Sequence, residues 1–319
     1  MKNRRVLVVG GDGFIGRQIV RRLAARGAVI AVAAPHATEA GYLRPMGDVG
    51  QIAALACGIT DEALLAPLIA GCDTVINAAG ILNQRRARGF DRVHRQGPAL
   101  LARLAAQSGV RQFLHVSVIC LDEHSASEYV RSKTAGEAAV RAAFPAATIV
   151  RPSLVFGAED HFFNRFAALA RYVPALPLID GGKTRFQPVF VGDVADAVVA
   201  ALDRADSAGR TYELGGPEVL DFKQVLELVL RVTGRTRLLV PVPGALAALP
   251  AFFMEFLPDP PLTRDQIKLL AHDNVATPGV PGLAELGIAP TAIELILPTY
   301  LDRFRRGGRF APRAAEHPG

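Results

Sequence analysis

Val6-Leu7-Val8-Val9-Gly10-Gly11-Asp12-Gly13-Phe14-Ile15-Gly16 is the stretch on which the reading of this chain turns. Four apolar residues in a row fit a strand covered on both faces. Each of three glycines then has its own use. Gly10 permits the tight turn out of the strand, Gly13 lets the backbone approach a pyrophosphate, and Gly16 lets the helix pack closely. The first helical turn, Phe14 and Ile15 included, offers free N–H groups and the positive end of the helix dipole to phosphates. A glycine pattern that leaves a strand and opens a helix points to dinucleotide binding.

The surrounding pattern supports that reading. Short apolar runs at residues 6–9, 29–33, 52–56, 74–76, 113–116 and 148–150 read as strands. Helical patterns lie between them: 17–26 ending at Gly27, 61–70 capped by Thr60 and ending at Gly71, and 98–107 before Gly109. The expected class is α/β, a Rossmann-type doubly wound parallel sheet with a smaller C-terminal lid-like domain. Residues 1–206 form the nucleotide-binding domain, with 158–186 contributing to the lid; 207–310 form the small domain, with a helix over 222–233, and 311–319 a flexible tail.

Composition narrows the classes. Half of the 319 residues are hydrophobic, enough for a large core. The net charge of +6 is moderate, and no nucleic-acid reading motif is present. Cys57, Cys72 and Cys120 show neither paired nor metal-ligand spacing, and the seven histidines are scattered, so no metal site and a reduced, cytoplasmic compartment are expected. The N-terminus leads straight into the first strand, which leaves no secretory h-region. Pro241, Pro243 and Pro250 interrupt the apolar stretch 238–257, which argues against a spanning helix.

Tyr129-x-x-x-Lys133 is the second chemical signal. Ser125-x-x-Glu128 reads as a capping box that starts a helix at Ser125. Tyr129 and Lys133 then share one helical face. A nearby ammonium favours a phenolate and can also bond ribose hydroxyls. At the end of the second strand an acid would grip a ribose hydroxyl and an arginine a 2′-phosphate. Here stand Ala33-Ala34-Pro35-His36, with Arg17 and Arg44 to supply positive charge and His36 a donor, which favours NADP(H) over NAD(H).

The three-residue glycine spacing resembles the extended short-chain dehydrogenase/reductase superfamily. By that resemblance Asn77-Ala78-Ala79-Gly80 is the loop beside the nicotinamide ribose, and Arg151, Pro152 and Ser153 line the pocket. Ser117 lies in the donor region, but the usual donor position falls on Ile119, which cannot hydrogen-bond a substrate. Longer strings, among them residues 43–48, 129–133, 156–160, 187–194 and 263–265, resemble the NADPH-containing accessory subunit of respiratory complex I over nearly the whole chain. The resemblance implies an atypical fold member of bacterial type that holds NADPH, lacks a full catalytic set and sits peripherally on the inner face of a membrane. Its implied partners are respiratory complex I or quinone-biosynthesis proteins. Where the mitochondrial subunit has an arginine after the second strand, this chain has Ala34.

Three readings follow. The first is an accessory or scaffold protein of NADH–quinone oxidoreductase or ubiquinone metabolism. The second is a working epimerase, dehydratase or reductase with Tyr129 as acid/base, Lys133 tuning it and Ser117 in support. The third is a structural domain with an empty pocket. Two arginine groups, 85–95 near the cleft and 303–313 with Phe304 and Phe310, suit an anionic ligand or an acidic membrane surface.

Overall fold

The computed structural model describes residues 1–36, 39–83, 89–255, 260 and 262–308. Strand and helix alternate through the first half as β1 (Arg5–Val9), α1 (Phe14–Ala25), β2 (Val29–Ala34), β3 (Ile52–Ala56), α2 (Glu62–Ala70), β4 (Thr74–Asn77), α3 (Gly97–Gln107), β5 (Gln112–Val116), α4 (Glu128–Ala143) and β6 (Thr148–Pro152). The second half adds β7 (Val155–Phe156), α5 (Phe163–Tyr172), β8 (Ala175–Ile179), β9 (Arg185–Phe186), β10 (Val189–Phe190), α6 (Val191–Asp203) and β11 (Thr211–Leu214). It ends with β12 (Leu220–Asp221), α7 (Phe222–Thr233), β13 (Leu238–Val242), α8 (Gly244–Met254), α9 (Arg264–Leu269) and α10 (Ile293–Leu301).

Seven parallel strands form the central sheet in the order β11-β6-β5-β4-β1-β2-β3. β1 lies between β2 and β4, so the winding reverses there and opens a crevice at the strand C-termini. Side chains of β1 alternate between two cores. Val6 and Val8 pack with Ile19, Leu23 and Val198 under α1 and α6, and Leu7 and Val9 with Leu65, Leu101 and Val140 under α2, α3 and α4. Burial on both faces is why these strands read as unbroken apolar runs.

The helix starts differ from the sequence expectation in two places. Asp61, not Thr60, caps α2, its carboxylate accepting from Leu64 N at 3.2 Å. Ser127, not Ser125, caps α4; Ser125 Oγ instead accepts from Ser127 N at 3.2 Å and shapes the approach. A tertiary contact decides the second case, since Ser127 Oγ also donates to Asp265 at 2.7 Å. Ahead of α3 the helix opens into a π-turn over Asp91–Gln96. Pro98 has no N–H to give the His94 carbonyl, which favours such widening. That carbonyl meets α4 at Gly136, where a Cβ would lie 1.7 Å from it.

The lid packs α5, α7, α8 and α9 on the parallel pair β8–β13, around Leu176, Leu178, Phe186, Phe222 and Leu226. The 207–310 boundary expected from sequence does not separate it cleanly. β11 belongs to the central sheet, and residues 274–288 return to that sheet's edge. Gln187 N donates to Asn274 O, Thr277 N to the Glu213 carboxylate, and Glu213 N to Pro281 O. Leu283 and Leu286 complete the α1 side of the core. The 238–257 stretch divides into β13 and α8, and no described helix is long and apolar enough to cross a membrane. The tail 311–319 lies outside the described residues.

Candidate dinucleotide site

The glycine turn is built by close approach. Gly10 has φ +76°, and a Cβ there would lie 2.7 Å from the Ala79 backbone. Gly10 therefore seats the turn against the Ala78–Ala79 loop after β4. At Gly16 a Cβ would lie 2.0 Å from the Gly10 carbonyl, so this glycine packs the helix on the turn rather than on the sheet. Gly13 meets only the Gly10 carbonyl, at 3.3 Å, and its outer side is open. Among the described residues no side chain caps α1, and its first turn, Phe14 and Ile15 included, holds no acid, so its positive dipole end is open to an anion.

The loop after β4 is held from beneath. Asn77 is buried; its Oδ1 accepts from Ala79 N at 3.1 Å and its Nδ2 meets His115 Nδ1 at 3.1 Å. Asn77 thus shapes the loop and does not face the crevice with free polar atoms. Ile81 N donates to His94 Nε2 at 3.1 Å, which leaves the His94 proton on Nδ1 for Ser132 Oγ at 2.9 Å. Ser132 passes its own proton to the Tyr129 carbonyl at 2.8 Å. Burial and the Lys133 charge keep both imidazoles neutral, His94 at about 2 and His115 at about 3.

Lys133 is the group that asks for a ligand. It is 5% exposed, and among the described residues no hydrogen bond or ion pair reaches its ammonium. A Cβ on Gly80 would lie 3.4 Å from Nζ, so the amine stands directly against the loop. Burial lowers its pKa to about 8, opposed by Glu137 one turn along. Among the described residues the fully enclosed polar atoms without a partner are His115 Nε2 and Ser117 Oγ, so the Lys133 amine keeps accessible surface on which a ligand acceptor can meet it. Ribose hydroxyls offer such an acceptor.

Tyr129 departs from the tuned phenolate expected from sequence. Burial and the Asp265 charge push its phenol above the ordinary value, and Lys133 does not bring it down. Its ring meets Phe90 and His94 edge-on, with centroids 5.8 and 5.3 Å away. A tyrosine held protonated can donate a proton or hydrogen bond but is a poor base.

The remaining residues divide into two groups. Arg17 is pinned at the turn, donating to Asp12 O and Gly13 O, with Glu159 3.7 Å away and the Tyr42 ring 4.9 Å beneath its guanidinium. His36 and Arg44 are exposed beyond β2. Ser117 and Ile119 are both buried, and the Ser117 hydroxyl faces Glu137 without a well-formed hydrogen bond. Arg151 turns from the crevice to bridge Glu137 at 2.6 Å and Glu213 at 3.1 Å. Ser153 is occupied by Asn274, at 2.7 Å, and Pro152 is a buried ladder residue opposite Leu214. Arg85, Arg86, Arg88, Arg309, Phe310 and Arg313 lie outside the described residues; Arg95 pairs with Asp91.

Sequence reasoning missed His94 and Tyr42, and it gave no role to Ser132 or Asp265, which stood only within the strings 129–133 and 263–265. The one usable signal for His94 was Pro98, four residues on, which marks an irregular helix. Asp265 reaches α4 from 136 residues away, which no local pattern encodes.

Comparisons with known proteins agree with this fold. The profile described as "NAD dependent epimerase/dehydratase family" matches residues 6–215. The mouse protein named NADH dehydrogenase [ubiquinone] 1 alpha subcomplex subunit 9, mitochondrial, is 33% identical over 309 residues, spanning 93% of this chain and 80% of its own. A ceramide reductase of Caulobacter vibrioides is 33% identical over 258 residues, 76% of this chain and 75% of its own. In fold, the chain is similar to a dTDP-glucose 4,6-dehydratase from Streptomyces venezuelae solved with NAD bound, at TM-score 0.70 and 22% identity over 93% of this chain and 95% of that one. The chain belongs to the NAD-dependent epimerase/dehydratase family, the nicotinamide-dinucleotide-binding short-chain dehydrogenase/reductase fold that it shares with the complex I subunit it resembles.

Proposed function

We propose that this protein retains NADP(H) and serves as an accessory or scaffold protein of quinone-linked respiration, placed peripherally at the inner face of a membrane beside an NADH–quinone oxidoreductase or ubiquinone-metabolising proteins. The carrying observation is the largely buried Lys133, whose amine stands against Gly80 with no acceptor among the described residues, while Ile119 stands where a catalytic hydroxyl is needed. That combination favours holding a dinucleotide over turning it over. The relatives named as complex I subunits supply the respiratory context. Preference for NADP(H) rests on Arg17 over Tyr42, on exposed Arg44, and on the lack of an acid at Ala34-Pro35-His36. Mass spectrometry of the denatured protein tests the core of this reading, with NADP(H) near one per chain as the expected result. Titration of stripped protein with both dinucleotides tests the preference. No released nucleotide and no binding would end it.

A reductase is the alternative that a particular observation favours. Tyr129 keeps its proton, as a donor to a carbonyl oxygen must, and one relative is named as a reductase. Oxidation of NADPH that requires an added carbonyl substrate and vanishes in Tyr129→Phe would move the assignment there.

A further inference from the structure

We propose that the outer face of the lid, from the Arg171–Arg235–Arg237–Arg306 cluster along β13 to α8, docks on an anionic phospholipid bilayer. This extends the membrane-side placement proposed above by naming the surface and its chemistry. It does not depend on the dinucleotide site.

The sequence of α8, Gly-Ala-Leu-Ala-Ala-Leu-Pro-Ala-Phe-Phe-Met, holds no charged residue. A helix apolar on every face is normally enclosed. Here one side is enclosed, with Ala247 and Ala251 in the lid core, and the other is not. Leu246, Leu249 and Phe253, spaced three and four apart, are 68%, 67% and 64% exposed. Six of the fourteen exposed large hydrophobic side chains among the described residues lie in this region, with Tyr172, Leu238 and Val240 completing the set; Phe252 instead faces the cleft beneath Arg264. Contiguous exposed apolar surface of this kind marks an interaction face.

Charge decides what covers it. Arg171, Arg235, Arg237 and Arg306 gather at the start of β13, and none has an ion-pair partner among the described residues. Arg235 and Arg237 donate only to backbone carbonyls, of Phe304, Ala170 and Thr236. The crowding is strong enough that, after burial, the neighbouring guanidiniums are what lower the Arg235 pKa. A second copy of the chain on this face would set these cations against themselves or against an uncharged helix, desolvating charge without pairing it. Lipid phosphates pair it. β13 separates the cluster from α8 by about 15 Å, and α8 adds roughly as much again, so both ends can meet one flat surface. Arginines at headgroup depth with Leu and Phe below them is the arrangement of an interfacial helix.

Co-sedimentation of the full chain with vesicles tests this. Association with phosphatidylcholine vesicles containing phosphatidylglycerol should exceed that with phosphatidylcholine alone by at least about ten-fold and weaken as salt rises. The double variant Leu249→Asn/Phe253→Asn should lower binding to anionic vesicles more than about ten-fold. Arg235→Gln/Arg237→Gln should remove most of the salt dependence. Both variants should keep the wild-type Tm and dinucleotide content, which separates failure of this surface from failure of the dinucleotide reading. No vesicle association, association that both variants retain, or self-association that both abolish would overturn the proposal.

Discussion

The Asp265 carboxylate of α9 accepts a hydrogen bond from the backbone N–H of Tyr129 at 3.2 Å, across 136 residues of chain. It also takes Glu128 N at 2.8 Å and Ser127 Oγ at 2.7 Å. The lid thereby supplies the anion that the N-terminus of α4 attracts, and α4 carries both Tyr129 and Lys133. Asp265→Ala should destabilise the protein by about 1–3 kcal/mol. Dinucleotide affinity should fall with it, since the helix start would no longer be fixed. Thermal melts with and without NADP(H) measure both; an unchanged affinity would show that α4 is positioned without the lid.

Lys133 makes stability depend on alkaline pH in an unusual direction. Its folded pKa of about 8 lies below the ordinary 10.5, so the buried ammonium opposes folding at neutral pH. Between these values the unfolded chain binds the extra proton, so stability rises with pH. Lys133→Met should therefore be more stable than wild type at pH 7, by up to about 3 kcal/mol, with the gap closing as pH rises through 8 toward 10. In saturating NADP(H) the order should reverse at pH 7, because only the wild type gains the ligand bond. Denaturant titrations across that pH range, with and without nucleotide, are the check.

Two glycines of one motif should fail differently. Gly16→Ala drives a methyl into the Gly10 carbonyl and should cost about 1–3 kcal/mol or more, although alanine is the better helix former. Gly13→Ala meets little protein and should change Tm only slightly, while weakening dinucleotide binding by about ten-fold or more through blocked approach. Equal losses in both assays for both variants would contradict the separation.

Glu137 sits at 3% exposure between Arg151 and Arg141, with Lys133 one turn away. Burial raises its pKa, but Arg151 first, then the Ser117 hydroxyl and Arg141, more than offset that, and the net shift is downward. Glu137→Gln leaves the Arg151 charge with Glu213 alone and should destabilise by about 3–5 kcal/mol. In the wild type this carboxylate contributes stability above the unfolded value, which is lost as pH falls through the lower folded one. The wild type should thus show a larger acid-side loss of stability than the variant, measurable by calorimetry.

Much of the first half was legible because its signals are local. The apolar run of β1 and the glycines after it specify strand, turn and helix within eleven residues, and Gly27 and Gly71 end their helices where the pattern says. In the lid the helix over 222–233 was legible and is α7, while the rest was read only as a region. Its pairs β7–β10 and β9–β12 are two residues long and exist through tertiary contact alone. The same reason hid the occupied state of Arg151 and Ser153. Their place after β6 suggests a pocket, but their partners Glu213 and Asn274 are 62 and 121 residues away. The buried solitude of Lys133 was likewise invisible, since spacing fixes which face a residue shares and not what is missing from that face.

Residues 274–288 close the α1 side of the sheet with Leu283 and Leu286, which meet strands begun at Val6. During synthesis that side, which α1 and α6 cover first, therefore waits for its last apolar side chains until residue 288 has left the ribosome. Released short of that stretch, the nascent amino-terminal lobe should be a chaperone client rather than a free-standing product. Supplied in trans as a separate peptide, the missing piece should restore it by fragment complementation.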